Sequence, residues 1–133
     1  MADVIFEYGS LIRAGMPEVV RKLRMKHKLG LVCTDLPREV LEDTLQLGSL
    51  QLRGYFDQIL SSEEIAGEIK VEHIRLLEKR LYVTSPIYVT DKKHGMEVAR
   101  ALMPTIAMGI SDIPQGVYRI EKPSELLDIV TKI

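Results

Sequence analysis

The stretch Ile87–Met108, IYVTDKKHGMEVARALMPTIAM, decides the fold. It opens on a short run of β-branched and aromatic residues, Ile87–Thr90, which reads as a strand. Asp91, Lys92 and Lys93 break that run. Apolar residues then recur at helical spacing over His94–Leu102, and a second apolar run, Thr105–Met108, follows Pro104. Strand, helix and strand in this order make a right-handed crossover between parallel strands.

The same alternation continues in both directions. Toward the N-terminus, the spacing predicts strands over Asp3–Tyr8, Leu31–Thr34 and Phe56–Leu60, and helices over Met16–Lys28, Pro37–Leu47 and Val71–Leu81. Val19, Val20, Leu23 and His27 fall on one face of the first helix, and Val40, Leu41, Thr44 and Leu45 are taken as the inner face of the second. Toward the C-terminus, Val117–Ile120 reads as a short strand and Ser124–Lys132 as a helix with Glu125 in its first turn. Runs such as LGLV, PIYV and TIAM are near-continuously apolar, as expected of strands covered on both faces. The expected fold is α/β, with a mainly parallel sheet between two layers of helices, in one domain spanning the 133 residues.

Ligands in such sheets bind beyond the carboxyl ends of the strands, near the point where strand order reverses. The first four strands end on oxygen-bearing side chains: Glu7, then Thr34 with Asp35, then Ser61 with Ser62, then Thr90 with Asp91. Solvated turns favour such residues, but that accounts less well for all four together.

Composition narrows the function. Charged residues make up 28% and the net charge is −1, so no strong field draws nucleic acid or acidic lipid. The basic run Arg21–Lys28 lies near a helix end, where cations complement the dipole, and carries no aromatic residues for base stacking. No apolar run is long enough to span a membrane, and MADVIFEYG lacks the pattern of a leader, so the expectation is cytoplasmic. The single cysteine, Cys33, excludes an internal disulfide and reads as a buried small hydrophobe, a reactive thiol being the alternative. The chain contains no asparagine, a weak sign of a hot-growing source. No glycine-rich fingerprint follows a strand, so no nucleotide or flavin cofactor is expected. The three histidines lack metal-ligand spacing. Lys92, Lys93 and His94, beside Asp91, read as a solvated loop that could also hold an anion.

Four segments carry a family resemblance. IYVTDKKHGMEVARALMPTIAMG is similar to a segment of strand, Gly-Asp, helix and next strand. KHKLGLVCTDLPREVLEDTL is similar to a strand ending in Thr or Ser, LRGYFDQILSSEEI to a YFD…SEE segment, and VIFEYGSLI to an opening strand that usually carries Asp-x-Asp-Gly-Thr-Leu. Over nearly its whole length the chain resembles the haloacid dehalogenase-like (HAD) superfamily of phosphatases and related hydrolases. The resemblance implies a three-layer α/β/α, Rossmann-like fold. It places Glu7 at the nucleophile position, Thr34 as the phosphate-binding hydroxyl, Lys70 as the lysine that neutralises phosphate and nucleophile, and Asp91, with Glu7, at magnesium. It also implies a capless member, since neither site of cap insertion has room.

The chain departs from that pattern where the chemistry is made. Glu7 replaces the usual aspartate, the second acid of the opening strand is missing, and Gly95 stands where the magnesium loop usually has another acid. Moving a nucleophile by about an ångström can cost roughly 100-fold. Losing a general acid costs roughly 100- to 10,000-fold more. The expectation is a catalytically degenerate binding or assembly module, its partner a protein or a second copy of the chain, with at most a weak magnesium or phosphate site. The alternative is a slow magnesium-dependent phosphohydrolase.

Overall fold

Strands in which three or more of four residues are apolar cannot lie on a solvated edge without exposing apolar surface, and the strands that carry such runs are central. In the computed structural model, which describes residues 3–47, 50–84 and 86–133, β1 (Val4–Glu7), β2 (Leu29–Val32), β4 (Ile87–Thr90) and β5 (Thr105–Met108) are buried along their whole length. The edges are the shorter β3 (Gln58–Leu60) and β6 (Tyr118–Ile120). The six strands run parallel in the order β3-β2-β1-β4-β5-β6. The order reverses between β1 and β4, which sets the expected binding mouth at their carboxyl ends.

Side-chain alternation divides the core into two layers. Val4 and Phe6 face one side, with Val19, Val20 and Leu23 of α1 (Met16–Arg24), Leu41 and Leu45 of α2 (Arg38–Gln46), and Leu126 and Val130 of α5 (Ser124–Lys132). Ile5 and Tyr88 face the other, with Ile74, Leu77 and Leu81 of α3 (Val71–Leu81) and Ala99 of α4 (Lys93–Ala99). Each fully buried aliphatic side chain contributes roughly 1.5–3 kcal/mol. Gly30, inside β2, lets α3 settle on the sheet: a Cβ there would lie 2.8 Å from Leu81 Cδ1.

Several boundaries differ from the sequence expectation. The first helix stops at Arg24 rather than Lys28, and β2 begins at Leu29 rather than Leu31. Asp3 explains the shift: its carboxylate accepts the Lys28 amide (2.7 Å), the Val4 amide donates to the Lys28 carbonyl (3.1 Å), and Leu29 is thereby set opposite Val4. Thr34 therefore lies beyond the strand, not at its last position. The third strand is confined to Gln58–Leu60 because Asp57 turns its carboxylate onto the Leu29 amide (2.8 Å). Val40 is exposed, not inward, since Leu41 and Leu45 alone make the buried stripe of α2. The fourth helix ends at Ala99, rather than Leu102, and the Leu102 and Met103 amides turn back onto the Ala99 carbonyl (2.9 and 3.1 Å). Among the described residues no helix is long and apolar enough to cross a membrane.

Candidate functional site

Glu7 is the last residue of β1, and alternation puts it on the same face as Ile5, Tyr88 and Thr90. Phe6 pairs with Val89 in register, so the end of β1 lies beside the end of β4. Tyr88 Oη donates to Glu7 Oε1 (2.6 Å) and Thr90 Oγ1 to Glu7 Oε2 (2.8 Å). Only 7% of Glu7 is exposed, so its carboxylate is turned under α4 and held there. Gly95 makes the space: a Cβ at residue 95 would overlap Glu7 Oε1. Burial raises the Glu7 carboxyl above its usual range, and the hydrogen bonds from Tyr88 and Thr90 offset only part of this. Burial and then the neighbouring Glu7 push the Tyr88 phenol well above its own range, so it stays a donor.

The turn after β1 is equally determined. Ser10 Oγ donates to the Glu7 carbonyl (2.7 Å), drawing the chain into a 3-10 helix, Tyr8–Ile12. Gly9 is required by close approach, because a Cβ there would lie 2.6 Å from Asp91 Oδ1. Asp91 thus lies directly over the end of β1. Its Oδ1 is buried with no hydrogen-bond partner among the described residues.

A cleft of about 430 Å³ opens at these strand ends. Its floor is Glu7, Tyr8, Gly9 and Gly95; Val32, Cys33, Thr34 and Asp35 line one wall, and Gly67, Glu68 and Ile69 another. Lys92 and His94 stand at its mouth. Lys92 Nζ pairs with Asp35 Oδ2 (3.4 Å) across it. His94 Nε2 lies 2.9 Å from the Ile69 carbonyl, to which it donates, and 3.6 Å from Glu68 Oε2. Cys33 is 2% exposed, and burial raises its thiol, so it lines the wall as a protonated side chain.

The structure therefore brings Glu7 and Thr34 into one cleft, with Asp91 packed behind Gly9. Lys70 is exposed, immediately before α3, and is not among the cleft-lining residues; its backbone amide donates to His73 Nδ1 (3.0 Å). Lys93 points away toward Asp112 (3.9 Å). Magnesium fits this arrangement poorly: both Glu7 oxygens already accept hydrogen bonds, and among the described residues no three His, Cys, Asp or Glu side chains are grouped to hold a metal ion. Sequence reasoning missed Tyr88. Its signal was the period of two, which sets residue 88 on the face of residue 90 and hence on that of Glu7.

No family model and no curated protein matches the chain. Solved structures do. The core domain of a protein assigned as a phosphoglycolate phosphatase from Streptococcus pneumoniae TIGR4 superposes with a TM-score of 0.76 at 16% identity, over 99% of this chain and 96% of that one. A protein assigned as a β-phosphoglucomutase from Thermotoga maritima gives 0.72 at 22% identity, over 91% of this chain and 60% of that one. A haloacid dehalogenase-like family hydrolase from Xanthomonas campestris gives 0.71 at 14% identity, over 90% of this chain and 50% of that one. The chain thus spans nearly all of the first, about three-fifths of the second and half of the third. With its all-parallel sheet, its strand order and its mouth at the β1–β4 switch, this chain has the haloacid dehalogenase-like fold.

Proposed function

We propose that this chain is a catalytically degenerate protein of that fold which binds an anion, rather than one that turns over a phosphoester. One observation carries the reading: the Glu7 carboxylate is turned beneath α4, with an oxygen on Tyr88 and an oxygen on Thr90. A nucleophile must be ionised and free to point into the cleft. Burial favours the neutral acid here, and attack would require both hydrogen bonds to be given up first. The cleft keeps groups suited to an anion, namely the Thr34 hydroxyl and the Lys92 ammonium. The phosphoester chemistry named for two similar structures points to a phosphate-bearing ligand. An open mouth suits a phosphate carried by a protein partner or by a second copy of the chain, binding or assembling with it.

The test is phosphate release from an aryl phosphate with magnesium, run beside a titration with inorganic phosphate. The expected result is release at background and saturable binding. Release that depends on magnesium and is abolished by Glu7→Gln and by Asp91→Ala overturns the reading. The second reading is a slow magnesium-dependent phosphohydrolase, and what favours it is the buried, unpartnered Asp91 Oδ1. Its requirement is the same rotation of Glu7 away from Tyr88 and Thr90.

A further inference from the structure

Two donors in the cleft converge on one carboxylate of the chain itself. Thr34 Oγ1 donates to Asp35 Oδ1 (3.3 Å), and Lys92 Nζ, from the loop after β4, to Asp35 Oδ2 (3.4 Å). These are the hydroxyl and the ammonium through which the cleft would take up an anion. A carboxylate bridging a hydroxyl and an ammonium presents oxygens much as a bound phosphate would. Resting on the anion-binding reading above, we infer that Asp35 is a built-in competitor for the anion subsite, occupying the place that a ligand's phosphate oxygens would take.

The strength of the contact suits that role. The Asp35 and Lys92 side chains are 65% and 50% exposed, and an ion pair this open to water is easily exchanged. Asp35 therefore weakens binding without blocking it. A ligand must displace the carboxylate from Lys92 and then tolerate its charge nearby, so Asp35 lowers the affinity for an anion by a modest factor.

The test is an amide-shift NMR titration of the intact chain with inorganic phosphate at constant ionic strength. It compares wild type, Asp35→Asn, Lys92→Met and the double variant Asp35→Asn/Lys92→Met, followed at the amides of residues 34 and 92. The expected result is on the order of fivefold tighter binding for Asp35→Asn than for wild type, the upper end for an exposed pair, and no such gain for the double variant over Lys92→Met. Equal or weaker binding by Asp35→Asn, with shifts at Thr34 and Lys92 in both proteins, overturns the competitor role and leaves the anion site standing. A gain that survives Lys92→Met also overturns it. Absence of shifts at these residues in wild type and Asp35→Asn alike removes the anion-binding reading and the competitor with it.

Discussion

Replacing Gly95 with alanine should change sign according to what occupies residue 7. Alanine is favoured over glycine by up to roughly 0.5–1 kcal/mol within a helix, and Gly95 lies in the first turn of α4, so an unobstructed Gly95→Ala would stabilise the fold by at most that amount. Here the new Cβ would overlap Glu7 Oε1, and the carboxylate must leave its position. Leaving breaks the bonds from Tyr88 and Thr90, both buried, at roughly 0.5–1.5 kcal/mol each. In wild type the substitution should therefore cost roughly 1–2 kcal/mol after the helical gain. In a Glu7→Ala background nothing blocks residue 95, and the same change should stabilise by up to roughly 0.5–1 kcal/mol. Urea denaturation of the four proteins closes the cycle, with an expected coupling of roughly 2–3 kcal/mol. Additivity to within about 0.5 kcal/mol would mean that Glu7 does not rest against Gly95, and the account of a sequestered carboxylate would fail.

Three further outcomes follow from the same geometry. Burial lifts the Glu7 carboxyl above its ordinary 4.5, so the folded state holds that proton to higher pH than the unfolded state does; the resulting stability is complete below about pH 4.5 and lost as pH rises through the folded value. Glu7→Gln, which stays neutral, should gain stability relative to wild type as pH rises from 4 to 8 in thermal melts, and a constant difference across that range would contradict the burial effect. Gly30→Ala should destabilise by roughly 1–2 kcal/mol in denaturant melts through pressure on Leu81 and Leu77, whereas a neutral result would show that α3 yields freely. Cys33 should react with a maleimide far more slowly in the native state than in urea, and rapid native labelling would show that the cleft wall opens.

The parts of this fold that read directly from sequence are those with local punctuation. Pro86 and Pro104 precede β4 and β5, a polar residue or proline precedes α3 and α5, and these four elements begin and end where periodicity places them. The shift of β2 was hidden because it depends on Asp3, a residue 25 positions away from the Lys28 amide it holds. Gly30 likewise serves a distant partner, since its missing Cβ admits Leu81 of α3. At the site, the positions of Glu7 and Asp91 were legible, since both follow from where strands end. The direction in which Glu7 points was not. It depends on its tertiary partners Tyr88, Thr90 and Gly95 at once. Lys70 was chosen by local resemblance, whereas Lys92 reaches the mouth through the course of a loop.

The central place of β1 has a consequence for synthesis. Its first neighbour, β2, follows within one helix, but its second, β4, begins only at Ile87. At about 5–20 residues per second the roughly 80 residues between them take roughly 4–16 s to translate, and the channel of the ribosome delays them further. Throughout that interval Val4–Glu7 presents an apolar strand with one unpaired edge, the geometry that invites pairing with other nascent chains. Stalled chains ending before residue 87 are therefore expected to depend on chaperones, whereas those that extend past β5 can bury the exposed edge on their own.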